Sequence, residues 1–273
     1  APDRTRAKML EIAIDLARQA GALLRRGHEN GAGTVANKSS GVDLVTEFDL
    51  ASERLIADGL HRHFPHHAIH GEETGGELPA AGPVWVIDPL DGTTNFAHGY
   101  PVFSVTLALL IDGQPELGVT YDPLREELFW AQAGRGAWRG EQRLHVSATG
   151  ELRASLLATG FAYDRASNPD NNLAEFSHFM PRTRGVRRAG SAALDIAWVA
   201  AGQLDGYWER GIQLWDMAAG VLLVREAGGV VTTYSGQPWR PGHRNVAAAN
   251  SVLHQELLHG LQTARCALPV LPD

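Results

Sequence analysis

Apolar residues recur at helical spacing from Met9 to Arg26, at Met9, Ile12, Leu16, Ala20 and Leu23. This predicts an amphipathic helix, with Gly27 as its stop. A second helix is predicted over Leu50 to His63, with Leu55, Ile56 and Leu60 on one side. The period then changes. Val84 to Ile87 reads as a short strand, and Val102 to Ile111 as a longer apolar run. Asp112-Gly113 turns that run into "PELGVTYD", a hairpin signal. "EELFWAQAGRGAWRG" continues as strand, glycine-rich turn, strand. The N-terminal half is therefore expected to be helices followed by an antiparallel meander.

Composition turns polar around Gln142 to Glu151, a seam between two halves, 1–145 and 146–273. Past it, "SLLATGF" is strand-like, Ser191 to Gly202 an alanine-rich helix and Leu204 to Glu209 a short strand. Asp216 to Ala227 reads as a helix that Asp216 opens. "GVVTTY" and "NVAAAN" are further strands, and Ser251 to Ala264 is a closing helix. The pattern predicts an α/β fold of two interlocked halves, one structural unit with its active site at their interface.

The 273 residues, 44% of them hydrophobic, suffice for a large core. The net charge is −7, and no cluster of basic residues offsets it. A nucleic-acid partner is not expected, whereas a small anion could still bind through a metal. The single cysteine, Cys266, permits no intrachain disulfide, which fits a cytoplasmic location. No apolar run reaches the ~18 residues of a membrane span, so no membrane partner is expected.

The chemistry concentrates in carboxylates at the ends of apolar segments. Glu72 and Glu73 follow Gly71 in "IHGEE". Asp88 and Asp91 flank Pro89-Leu90 in "WVIDPLDGTTNF", and Asp216 stands in "LWDMAAG". Proline stiffens the turn between the two aspartates, so both can aim at one point. Like charges that close repel, and oxygen donors without His or Cys suit hard cations, Mg²⁺ or Mn²⁺. Two such ions ~4 Å apart form a clamp for displacement at phosphorus. The spacing is not that of an EF-hand, which needs an acid where Leu90 stands. After Asp91, Gly92 allows close approach and Thr93 offers a hydroxyl, with Asp49 a candidate acceptor for it. Singly, each feature has a plain reading: a capped turn, a helix N-cap at Asp216, a solvated Glu72-Glu73 pair. The conjunction of the three segments, in order, favours catalysis.

With these motifs, the chain resembles the inositol monophosphatase family, Mg²⁺-dependent, lithium-sensitive phosphatases of the fructose-1,6-bisphosphatase-like superfamily. The likeness lies in "GEE", "WVIDPLDGTTNF", "LWDMAAGVLLVREAGG", "KSSGVDLVTEFD" and "AGSAALDIAWVAAGQLDGYWE". It implies a five-layered αβαβα sandwich and metal ligation by Glu72, Asp88, Asp91, Asp216 and the Leu90 carbonyl, around two or three Mg²⁺ that Mn²⁺ can replace. It implies that Thr93, backed by Asp49 and with Glu72, positions the attacking water. Gly92 and Thr93 would contact phosphate, and Gly190, Ser191, Ala192 and Glu209 the hydroxyl-bearing part of the substrate. Lys38 and Glu73 would stand behind the metal ligands. A homodimer is usual among relatives. Gln213-Leu214 precede Trp215 where many bacterial members carry Lys-Pro, which leaves the alcohol open. The implied activity is hydrolysis of a small polyol phosphate, inositol monophosphate foremost. Histidinol phosphate, fructose 1,6-bisphosphate and NADP are rival substrates, and a non-catalytic metal- or phosphate-binding regulator is the rival of another class.

Four other features read as structural. The histidines of "HRHFPHHAIH" lack regular ligand spacing and are expected to be solvated, and Cys266 to be inert. The seven tryptophans are mostly core, and "GRGAWRG" is a turn without Walker spacing.

Overall fold

The computed structural model describes residues 2–31, 33–38 and 43–266, without the side chains of residues 2, 3 and 266. The side chain of Cys266 thus lies outside the described residues. The N-terminal part runs α1 (Pro2–Asn30), β1 (Val35–Asn37), β2 (Leu44–Thr46), α2 (Glu47–His63), β3 (Ala68–Gly71), β4 (Pro83–Asp91) and α3 (Thr93–Ala97). Next come β5 (Ser104–Ile111), β6 (Gln114–Asp122), β7 (Glu127–Gln132), β8 (Gly136–Arg139) and β9 (Gln142–Arg143). The rest is β10 (Leu156–Thr159), α4 (Leu173–Phe179), β11 (Gly185–Arg187), α5 (Ala192–Ala200), β12 (Gly206–Arg210), α6 (Leu214–Glu226), β13 (Val230–Thr232), β14 (Asn245–Ala249) and α7 (Ser251–Cys266).

Strands β3 to β9 form a seven-stranded sheet in chain order, antiparallel except for the β3–β4 pair. The second sheet has the order β11-β10-β12-β14-β13 and is mixed. Helices α1 and α2 cover one face of the first sheet, and α5 and α6 lie between the sheets. Helices α4 and α7 cover the far face of the second. This is the expected αβαβα sandwich.

The layering explains the strand pattern. In β4, Trp85 and Ile87 pack with Leu16, Ala20, Ile56 and Leu60 of α1 and α2, while Val84 and Val86 pack with Ala218 and Ala219 of α6. A strand buried on both faces reads as a continuous apolar run, as Val84 to Ile87 does. Helix α6 comes so close to β6 that a Cβ on Gly118 would sit 2.9 Å from the Ala219 backbone. On the other side of the second sheet, Leu157, Trp208, Ala247 and Ala249 meet Phe179, Leu253, Leu257 and Leu261.

Several expectations need correction. Helix α1 does not stop at Gly27 but runs to Asn30. Gly27 is there because a Cβ would lie 2.5 Å from the Phe48 ring, so it serves helix packing rather than helix ending. Helix α2 begins at Glu47, where Thr46 and Asp49 form a capping box. Asp216 is neither the first residue nor the N-cap of its helix. It is the third residue of α6 and accepts from the Gln213 N–H at 2.8 Å. Three of the seven tryptophans, Trp85, Trp208 and Trp239, are fully buried; the other four are partly exposed. His61, His63 and His66 are exposed, but His67 is half-buried, stacks on Phe64 and accepts from Trp85 Nε1 at 3.1 Å. The turn in "GRGAWRG" is held by Glu226, which accepts from the Gly134 and Gly136 N–H groups at 2.8 and 2.7 Å.

Candidate active site

Strand β4 ends in an irregularity: its register against β5 shifts between Asp88 and Asp91. Pro89 lies within that shift, and the strand delivers both aspartates to the same cleft. Asp88 Oδ1 accepts from the Leu90 N–H at 3.1 Å. Asp91 Oδ2 accepts from the Ser191 hydroxyl at 2.5 Å and from the Ala193 N–H at 2.8 Å. Asp216 Oδ2 accepts from Gln213. Each aspartate is thus held by hydrogen bonds from its own surroundings. Oxygens of Asp88, Asp91 and Asp216 lie within 4.8 Å of one another.

Burial, reinforced by Glu72, Asp91 and Asp216, pushes the Asp88 carboxyl well above its ordinary range. Burial and the charges of Asp91 and Glu72 do the same to Asp216. Burial pushes Asp91 up to about 6, held back by Ser191 and Ala193. Three acids facing one another, Asp88 and Asp91 buried and Asp216 half-buried, need a cation or protons.

Glu72 lines the same pocket but stands outside that tight trio, accepting from Lys38 Nζ at 2.9 Å. Lys38 also donates to Glu73 at 2.5 Å. Burial disfavours the charge on Lys38, yet Glu72 and Glu73 hold its ammonium above the ordinary lysine range. Burial pushes Glu73 up to about 7 against the pull of Lys38. Beside the trio, Thr93 donates to Asp49 Oδ1 at 2.8 Å and lies 3.1 Å from the Leu90 carbonyl. Asp49 is fully buried, and its other oxygen accepts from the backbone and hydroxyl of Thr46 at 2.7 and 2.6 Å. Gly92 has φ +99°, and a Cβ there would lie 3.0 and 3.1 Å from the carbonyls of Val102 and Gly190.

These groups open into one cavity of about 400 Å³. Lys38, Glu72, Asp88, Leu90, Asp91, Gly92, Thr93 and Asp216 line one part of it. Gly190, Ser191, Ala192 and Glu209 line the rest. Asp49 and Glu73 stand behind the wall. The structure therefore brings together all fourteen residues singled out in the sequence, twelve on the surface of the cavity and two supporting it.

The sequence matches the inositol monophosphatase family over residues 5–265. The chain belongs to that family. It is 50% identical to an inositol-1-monophosphatase of Synechocystis over 228 residues, 83% of this chain and 79% of that protein. It is 44% identical to a Pseudomonas aeruginosa protein called Nus factor SuhB, over 93% of this chain and 96% of that one. The structure of an inositol monophosphatase from Anabaena superimposes with a TM-score of 0.86 at 47% identity, covering 94% of this chain and 96% of that one.

As an inositol monophosphatase family member, the chain is a phosphoric monoester hydrolase of a metal-dependent kind that acts on a small-molecule phosphate. The donor set fits a hard cation: oxygen donors only, close together, with Asp88 and Asp91 buried and Asp216 half-buried. Among the described residues, no helix is long and apolar enough to cross a membrane.

Asp195, Arg188 and Tyr163 are among the cavity residues that sequence reasoning missed. Asp195 is buried on the first turn of α5 and has one oxygen without a hydrogen-bond partner. Arg188 and Tyr163 also line the pocket. Asp195 stands four residues after Ser191, the same-face spacing on a helix, and that is the only sequence signal for it. Arg188 and Tyr163 come from irregular segments that no periodicity places.

Proposed function

We propose that this enzyme hydrolyses the phosphate monoester of a small polyol, inositol monophosphate foremost. Mg²⁺ would be held by Glu72, Asp88, Asp91, Asp216 and the Leu90 carbonyl, with two or three ions bound, Mn²⁺ as a substitute and lithium as an inhibitor. The observation that carries this reading is the trio of aspartates, two buried and one half-buried, whose oxygens lie within 4.8 Å, set beside a Thr93–Asp49 pair.

When bound, the cation supplies Lewis acidity at the phosphate and lowers the pKa of water. The chain's own groups do the orienting. Thr93 donates its hydroxyl hydrogen bond to Asp49, so its oxygen is left to accept from a water and turn that water's lone pair toward phosphorus. Glu72, which lines the same part of the cavity, is the second acceptor for that water. The backbone of Gly92 and Thr93 meets phosphate oxygens. Glu209, Gly190, Ser191 and Ala192 accept and donate to the hydroxyls of the leaving alcohol. No Cys, Ser or His is placed as a nucleophile in this scheme, so phosphate passes directly to water.

The charge balance and single cysteine support a cytoplasmic enzyme without a nucleic-acid partner, and family habit supports a homodimer. The test is phosphate release from inositol phosphate, histidinol phosphate, fructose bisphosphate, glycerol phosphate and NADP, with Mg²⁺ and with chelator. Turnover that persists in chelator overturns the metal reading. Failure on every ester would leave a regulator that retains the fold. Preference for histidinol phosphate would replace the polyol.

A further inference from the structure

Helix α2 puts three buried polar side chains on one face, Asp49, Ser52 and Glu53, at 0%, 0% and 1% exposure. The spacing i, i+3, i+4 makes them neighbours. Each holds a different piece of the site. Asp49 accepts from Thr93. Ser52 donates to the Pro89 carbonyl at 2.8 Å, inside the turn between Asp88 and Asp91. Glu53 holds the third piece, the turn that carries Glu72.

The Glu53 contacts are of an unusual kind for a buried acid in a helix. One oxygen accepts from the Glu73 N–H at 2.8 Å. The other accepts from the Thr74 N–H at 2.8 Å and the Thr74 hydroxyl at 2.5 Å. Three donors from two successive residues thus converge on one carboxylate. Gly71 makes room for it, since a Cβ there would lie 2.5 Å from the Glu53 carboxyl carbon. Glu72 itself hangs between the fixed points: its N–H donates to the Ile87 carbonyl at 3.1 Å, and the next two N–H groups are taken by Glu53.

We infer that Glu53 is a positioning residue that sets Glu72 against Asp88, Asp91 and Asp216, so that the "GEE" turn and the "DPLD" turn are locked in register through one helix. The inference rests on the proposed role of Glu72 in holding metal. A surface turn bound only by its own backbone would let Glu72 wander, and a carboxylate pair a few ångströms out of place does not form a cation site. Burying a carboxylate has a cost that only its hydrogen bonds offset. Its placement under a tight turn, where an apolar side chain would pack more simply, is accounted for by the three donors it collects.

The test compares Glu53→Gln with Glu72→Gln. Glutamine keeps the shape of glutamate but turns one oxygen into an N–H₂ group, which then faces an N–H donor of the turn. Amide exchange in the metal-free protein is the first readout. Protection at Glu73 and Thr74 is expected to fall at least about tenfold in Glu53→Gln, while Val86 and Ile87 in β4 stay as in the wild type. Binding of Mn²⁺ alone, followed by titration calorimetry, is the second, with affinity expected to weaken about 10- to 100-fold. Thr74→Val, which removes one of the three donors, gives a smaller change in the same direction and serves if Glu53→Gln fails to fold. Wild-type protection of Glu73 and Thr74, or wild-type Mn²⁺ affinity beside a weakened Glu72→Gln, overturns the inference. A Glu72→Gln variant that binds Mn²⁺ normally instead overturns the metal role of Glu72, while the exchange readout still decides whether Glu53 fixes the turn.

Discussion

Ser191 donates its hydroxyl to Asp91 at 2.5 Å across a sequence separation of 100 residues. The same oxygen caps α5, accepting from the Leu194 N–H at 3.4 Å. One side chain therefore starts the helix of the second half and fixes an aspartate of the first. Ser191→Ala is expected to cost about 1–2 kcal/mol through the lost cap and to lower kcat/KM about tenfold through Asp91. Ser191→Thr keeps the hydroxyl and is expected to restore most of both. Urea melts beside phosphate-release assays measure the two losses separately. Lowered stability with unchanged turnover would confine Ser191 to capping.

The aspartate trio makes opposite demands with and without metal. In the metal-free protein Asp88 is buried among like charges, so Asp88→Asn is expected to raise the melting temperature. With Mg²⁺ the order reverses. A ligand that binds only the native state, at 100 times its Kd, stabilises it by about 2.7 kcal/mol, and the variant is expected to lose that gain along with turnover. Thermal melts in chelator and in Mg²⁺ check both halves. A wild type whose melting temperature ignores Mg²⁺ would speak against a preformed cation site.

The acidic cluster was legible in the sequence because the backbone does most of the aiming. Pro89 stiffens the turn between Asp88 and Asp91, and Asp216 follows Gln213-Leu214-Trp215 into a helix start. Those are local relationships, and local sequence encodes them. Glu53 was not legible for the opposite reason. On a helix it reads as one more solvated acid, and only the tertiary placement of the "GEE" turn over α2 gives it three donors. Gly27 misled in the same way, since its reason is the Phe48 ring across the helix packing. Helix α4 was missed because it is seven residues long and enters through Asn172 in a left-handed conformation. That Asn172 is fixed from afar: it donates to Thr159 and Gly160 and accepts from Trp208 Nε1, all at 2.7 Å.

Gly92 is the point where the turn proposed to face phosphate has no room for a side chain. Its φ of +99° is one that L-residues rarely adopt, and a Cβ would press on the Val102 and Gly190 carbonyls. Gly92→Ala is expected to destabilise the fold by about 1–3 kcal/mol and to push the Gly190 strip away from the cavity. KM for the phosphate ester should rise together with a fall in kcat, because both the phosphate and the alcohol contacts shift. A variant with wild-type KM would show that the turn yields without disturbing Gly190.

Glu209 carries the prediction for pH. It is 8% exposed, accepts from the Tyr207 hydroxyl, and is pushed up to about 7 by burial, partly opposed by Tyr207 and Arg188. A folded value above the unfolded one, about 4.3 for glutamate, means that the native state binds the proton more tightly. The resulting stability is fully present below about pH 4.3 and is lost as pH rises through about 7. Glu209→Gln cannot lose it, and its amide oxygen still accepts from Tyr207. The variant is therefore expected to match the wild type near pH 4.5 and to exceed it by roughly 3–4 kcal/mol at pH 8. Denaturant melts of both proteins in chelator from pH 4.5 to 8 measure the difference. A difference that stays flat across that range would mean that Glu209 is ionised throughout in the folded enzyme and faces the substrate as a carboxylate.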